Sequence, residues 1–215
     1  MDKIFAVNKP VGITSHDVVD IVRKKTGVRR VGHGGTLDPL ASGVLVIAVG
    51  RENTKRLDEF VKGEKEYIAT IFLGANSTTD DEEGEKQNVN VKSIPDIDEI
   101  SKMSKLFIGN IMQTPPIYSS VKISGKPSHR RVRNGENIQL EPREVFIKDI
   151  EILEYNYPTL RLNVTTGPGV YIRSLARDLG EKLGTGGYLK GLIRTRVNNF
   201  RLSEAVDLEN ISVYA

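Results

Sequence analysis

The chain has 215 residues, 38% hydrophobic and 27% charged, the size and balance of one globular domain, and this excludes wholesale disorder, collagen and coiled coil. The longest apolar run, GVLVIAVG at 43–50, falls far short of the roughly 20 residues that a membrane-spanning helix needs. The net charge of +3 is unevenly spread: residues 1–62 hold 11 basic and 7 acidic groups, 63–111 hold 5 and 10, 112–148 hold 7 and 3, and 149–215 hold 8 and 8.

The opening MDKIFAVNKP lacks the apolar core and cleavage site of a secretory leader and reads as a short strand at 4–7. Ser15 reads as a helix cap. Val18, Val19 and Val22 follow at helical spacing, with Lys24 and Lys25 in the last turn and Gly27 just beyond. Residues 32–43, GHGGTLDPLASG, form a glycine-rich loop feeding an apolar strand at 44–49. A short helix at 53–60 comes next, then an alternating strand at 66–73. Residues 75–93 read as a polar surface excursion. A helix is expected at 96–107, and short strands on either side of Thr114-Pro115-Pro116. A basic helix at 127–133 starts on proline and stops at Asn134-Gly135. Long strands at 143–154 and 159–166, a helix at 170–183 and a last strand at 188–197 complete the chain. The sum is a mixed α/β (α+β) domain with a largely antiparallel sheet flanked by helices.

Two stretches carry cations without acids. Residues 121–135 hold Lys122, Lys126, Arg130, Arg131 and Arg133; residues 190–201 hold Lys190, Arg194, Arg196 and Arg201. Such stripes on a modestly basic chain suit a polyanion lying across one face. The acidic run Asp80–Glu85 reads as a solvated loop, since its spacing does not match a calcium loop.

Asp38 sits in the glycine-rich loop, at the mouth of an apolar strand, where a carboxylate is placed to act rather than to pack; Asp-Pro also begins ordinary turns. Phosphate loops of either standard pattern are missing. The three histidines, His16, His33 and His129, have no metal-ligand spacing, so no metal site is expected. The serine elbow is missing. A glycosidase needs a second carboxylate, for which only Asp80 or Asp81 offers itself. With no cysteine, the chain fits a reducing cytosol, and a cytoplasmic location is expected.

The loop at 32–45 resembles the signature of the TruB-type tRNA pseudouridine-55 synthases, roughly G-H-x-G-[TA]-L-D-P-x-A-x-G-x-L. Further blocks follow in family order. Lys9 to Ser15 (KPVGITS) is similar to K-P-x-G-x-[ST]-S. Lys65-Glu66-Tyr67, Leu73-Gly74, Thr79-Asp80 and Gly84 follow K-x-Y…L-G…T-D…G. Residues 113–122 (QTPPIYSSVK) resemble Q-x-P-P-x-[YF]-S-A-x-K, and 167–180 (GPGVYIRSLARDLG) resemble G-x-Y-I-R-[ST]-L-x-x-D-L-G. The blocks span nearly the whole chain. It departs at His129 (often tyrosine), Val170 (threonine), Ile193 (arginine) and Asn198 (glycine).

The resemblance implies a pseudouridine synthase fold with an RNA-gripping insertion, and isomerisation of uridine 55 in the TΨC loop of tRNA. Uridine's N1–C1′ bond breaks, the base turns and C5 rejoins C1′. No oxidation state changes and no group enters, so no cofactor is called for. Asp38 is the implied catalytic carboxylate, Arg173 the cation that keeps it ionised, and Tyr67 the ring that stacks on uracil with its hydroxyl near C5. His33 is implied to fill the gap left by the flipped nucleotide. Lys122, Arg130, Arg131 and Arg133 would grip phosphates. Tyr171 and Lys9 complete the implied substrate site, with Lys9 better suited to shaping the neighbour of the loop. A non-catalytic tRNA-binding or tRNA-folding module would use the same surface. Only 15 residues follow Phe200, too few for the RNA-binding PUA domain that family members often add. The expectation is therefore a single catalytic domain over 1–215, a monomer acting on the T stem-loop, without guide RNA or membrane.

Overall fold

The structure is a computed structural model that describes residues 3–211 apart from 120, 124, 125, 134 and 137. The chain forms two compact units. The first comprises Met1–Ile68, Val164–Pro168 and Leu192–Ala215; the second comprises Ala69–Asn163 and Gly169–Gly191.

The first unit opens with strand β1 (Lys3–Lys9), helix α1 (Ser15–Thr26) and strands β2 (Val31–Gly34) and β3 (Ala41–Val49), followed by short helices α2 (Arg51–Lys55) and α3 (Asp58–Val61). Strands β4 (Lys65–Leu73), β11 (Thr159–Thr166) and β12 (Gly187–Val197) run from one unit into the other, and β13 (Phe200–Arg201) and β14 (Val206–Asp207) end the chain. The strand order here is β14-β1-β3-β12-β4-β11, with β2 added to β3 and β13 to β12. β1 and β2 pair antiparallel with β3, whereas β14 on β1 and β12 on β3 are parallel. The apolar run at 43–50 reflects burial on both faces of β3: Leu45, Ile47 and Val49 pack with Val18, Val19 and Val22 of α1, while Val44 and Val46 pack with Val197.

The cap of α1 falls at Thr14 rather than at the expected Ser15. The Thr14 hydroxyl accepts from the Asp17 amide at 3.1 Å, and the Asp17 carboxylate accepts from the Thr14 amide at 2.8 Å, a reciprocal capping box. Gly27, at φ +69°, ends the helix as expected.

The second unit adds the hairpin β5 (Ala75–Ser77) and β6 (Lys86–Asn88), helix α4 (Ile97–Lys105) and strand β7 (Gly109–Gln113). The two-residue strands β8 (Lys122–Ile123) and β9 (Lys126–Pro127) then lead into α5 (Ser128–Arg133). Strand β10 (Arg143–Asn156) and helix α6 (Ile172–Lys182) complete it. Its sheet runs β12-β4-β11-β10-β7, with β10 antiparallel to β7. Helix α6 buries Leu175, Ala176 and Leu179. The expected α/β class with a mixed, mostly antiparallel sheet holds. The helix expected at 53–60 is divided at Arg56–Leu57 into α2 and α3. No helix among the described residues is long and apolar enough to cross a membrane.

Candidate active site

Asp38 lies in the first unit, on the loop between β2 and β3, and is half-buried. The loop is pinned on both sides of the carboxylate. The Ser15 hydroxyl donates to Leu37 O at 2.9 Å and accepts from Leu37 N at 2.8 Å, and Gly12 N donates to Pro39 O at 2.8 Å. This gives the KPVGITS block its physical sense: Gly12 and Ser15 are the two anchors of the Asp38 loop. Ser15 is free for this task because Thr14 caps the helix. Two glycines of the 32–43 segment adopt left-handed backbone that strains any side chain. Gly43, at φ +102°, faces β12 so closely that a Cβ would collide with the Arg194 backbone. Gly35, at φ +93°, would place a Cβ 3.6 Å from Arg194 Nη1 and 3.8 Å from Lys65 Cε.

Three buried cations gather in this unit, each held by backbone carbonyls. Lys9 is 0% exposed, and its Nζ donates to Pro10 O at 2.8 Å and Ile13 O at 2.6 Å. Burial pushes its pKa down to about 8, against the pull of Asp38 and with the push of Arg194. Lys9 thus ties together the turn leading to the Asp38 anchors from a buried position. Lys65 donates to Val61 O at 2.9 Å and Gly63 O at 2.7 Å; burial and Arg194 lower its pKa to about 8. Arg194 is 1% exposed; its Nε donates to Val44 O at 2.7 Å and its Nη2 to Gly35 O at 3.0 Å.

Tyr67, 7% exposed on β4, lies within electrostatic reach of Arg194. His33, on β2, has its pKa lowered by burial and by Arg194 and His16, so it is neutral at pH 7; its Nδ1 is buried without a hydrogen-bond partner.

The surface role expected for the 190–201 stripe needs correction. Arg194 is interior, and Arg196 pairs with Glu64 at 2.7 Å and lies 3.7 Å from Glu66. Strand alternation turns these arginines inward or toward acids, which a count of charges along the chain does not reveal. The alternation of Leu192, Arg194 and Arg196 opposite a glycine loop is the signal that locates Arg194. Another basic feature escapes the stripe analysis: a cleft of about 690 Å³ lined by Arg23, Arg29, Arg30, Val31, Gly32 and Thr54, with Arg29 and Arg30 exposed.

In the second unit, the QTPPIYSSVK and GPGVYIRSLARDLG blocks interlock. Gln113 Nε2 donates to Tyr171 O at 3.1 Å, and its Oε1 accepts from Tyr171 N at 2.9 Å. This amide clamp stands at the start of α6, which has no side-chain cap of its own. The Tyr171 ring lies under Arg143, 5.2 Å from the guanidinium carbon. Arg173, 5% exposed, meets Asp81 at 3.3 Å, Thr79 O at 3.3 Å and Tyr118 O at 2.8 Å. Arg177 pairs with Asp80 at 2.7 Å and with Asp178 at 2.8 Å. The run at 80–85 is therefore not simply a solvated loop. Asp81 is buried against Arg173, and burial raises the Asp80 pKa while Arg177 opposes it.

The arm around α5 folds back on itself. Ser128 Oγ donates to Ser119 O at 2.9 Å and accepts from Ser119 N at 3.3 Å, and Ser128, not Pro127, begins the helix. Arg131 pairs with Glu136 at 2.6 Å. The side chains of Lys122, Arg130 and Arg133 lie outside the described residues. Asn198, where the family often has glycine, adopts φ +49°, a left-handed turn that asparagine tolerates.

Residues 23–172 match the model of the TruB family pseudouridylate synthase N-terminal domain, and residues 173–215 match that of the tRNA pseudouridylate synthase B C-terminal domain. The chain belongs to the TruB family of pseudouridylate synthases. The junction of the two models falls inside α6. Among curated relatives, the tRNA pseudouridine synthase B of Corynebacterium diphtheriae is 47% identical over 215 residues, covering 97% of this chain and 71% of the relative. That of Phocaeicola vulgatus is 41% identical, covering 97% and 91%. Among solved structures, a chain in a Cbf5–Nop10–Gar1 complex superposes with a TM-score of 0.77 at 31% identity, covering 98% of this chain and 54% of that one.

Proposed function

We propose that this chain isomerises uridine 55 in the T loop of tRNA to pseudouridine. The observation that supports it most directly is a single carboxylate, Asp38, on a loop pinned at Leu37 and Pro39, with Tyr67 and Arg194 in the same unit of a TruB-family chain. Asp38 is the group that engages the substrate as N1–C1′ breaks. The base turns, C5 bonds to C1′, the C5 proton leaves and N1 gains one. Tyr67 supplies the ring against uracil and a hydroxyl for the proton at C5. Arg173 enters through its motif alone, as the third catalytic residue of the reading. His33, neutral and with a free ring nitrogen, occupies the space of the flipped nucleotide.

Phosphates are gripped by Lys122, Arg130, Arg131 and Arg133, and the cleft of Arg23, Arg29 and Arg30 adds a second cationic face. No guide RNA is assigned: the curated relatives at 41% and 47% identity are named tRNA pseudouridine synthase B, whereas the chain of the Cbf5–Nop10–Gar1 complex is 31% identical. We read residues 1–215 as one catalytic domain acting as a cytoplasmic monomer.

The test is nucleoside analysis of a tRNA transcript incubated with the purified chain. Pseudouridine at position 55 is the expected product. Tight binding without conversion points instead to a tRNA-binding or tRNA-folding module.

A further inference from the structure

A buried guanidinium is expensive to desolvate, and apolar side chains of similar volume often pack at least as well. Arg194 is nonetheless interior, and among the described residues its hydrogen bonds go to the backbone carbonyls Val44 O and Gly35 O, with no carboxylate paired to it. Those partners are not arbitrary. Gly35 precedes Asp38 on the catalytic loop and Val44 follows it on β3. Lys9 feels the charge of both Asp38 and Arg194, so these groups share one locality.

Arginine offers only donors, and carbonyls on either side of Asp38 accept from this one. We propose that Arg194 is a positioning residue for the isomerisation, holding both ends of the Asp38 loop through Gly35 O and Val44 O and so setting where the carboxylate stands. The inference rests on the isomerase reading and deepens it: Arg194 touches no substrate, and it sets where the substrate-facing carboxylate stands.

Arg194→Lys keeps the charge and loses the planar fork. On a T stem-loop RNA tritiated at uracil C5, its kcat should fall on the order of 100-fold, the effect of a misplaced catalytic group, with KM within about threefold. Tm should stay close to that of the unsubstituted chain. If Arg194→Lys does not fold, Arg194→Gln is read in the same way. A kcat within threefold of the original chain, or a KM that rises as much as kcat falls, overturns the proposal. Failure of the unsubstituted chain itself to release tritium refutes the isomerase reading and the proposal with it.

Discussion

Ser15 holds Leu37 by a two-way clamp, its hydroxyl donating to the carbonyl at 2.9 Å and accepting from the amide at 2.8 Å, one residue before Asp38. Both backbone groups are buried with Leu37, so Ser15→Ala strands a donor and an acceptor. The expected loss is about 1–3 kcal/mol for each group left unpaired. Turnover should fall by roughly 10- to 100-fold, because the carboxylate loses one of its two anchors. Denaturant unfolding and single-turnover kinetics of the variant measure the two effects separately.

Gly43→Ala should be more damaging than its position on a buried strand suggests. Its backbone is left-handed at φ +102°, and a Cβ runs into the backbone of Arg194 across the parallel β3–β12 pair. The expected destabilisation is about 2–4 kcal/mol, from strain and a forced opening of the strand pair. A Tm shift of only 1–2 °C, roughly what a few tenths of a kcal/mol give, would count against this packing.

Stability should respond to alkaline pH through Lys9 and Lys65. Burial lowers both pKa values to about 8 from 10.5. Above pH 8 the folded chain gives up these protons while the unfolded chain still holds them. The unfolded state then binds more protons, so these two lysines make the unfolding free energy rise between pH 8 and about 10.5. Each neutral amine keeps two N–H groups for its two carbonyls. Urea unfolding at pH 7, 8.5 and 10 should show this contribution as a difference from Lys9→Met and Lys65→Met, in which the corresponding rise is lost.

RNA affinity should fall steeply with salt, each phosphate contact adding a slope of roughly 0.7 to 0.9 in log K against log salt. Replacing Arg29 and Arg30 together by alanine should flatten the slope by about one to two units if both cleft arginines meet phosphate. Replacing Arg130 and Arg131 should flatten it similarly, with Arg131 first leaving Glu136. Filter binding across a salt series decides each pair independently, and an unchanged slope removes that pair from the RNA interface.

Much of the fold is legible in the sequence because local pattern and tertiary role agree. The 43–50 run reads as a strand and is one, buried on both faces. Helix α1 is legible from its valines, whereas its cap is shifted by one residue because two adjacent hydroxyls compete and only the fold shows that Ser15 is engaged by Leu37. Asp38 and Tyr67 emerge from motif blocks. Arg194 and Asp81 do not, because charge counted along the chain treats them as surface, while strand alternation and a long-range partner put them inside. Gln113 is legible as a motif residue, but its reciprocal bonds to Tyr171 span 58 positions and appear only in three dimensions.

The central claim is that Asp38 performs uridine isomerisation on tRNA. Its most direct test is tritium release from a tRNA transcript labelled at uracil C5, with purified chain and nothing else added, comparing the original sequence with Asp38→Asn. Chemistry rests on one carboxylate whereas binding is spread over many cations. The original chain should release one tritium per target uridine, and Asp38→Asn none, with RNA affinity within a few fold. Release by Asp38→Asn at the original rate, or no release by the original chain, would contradict the account.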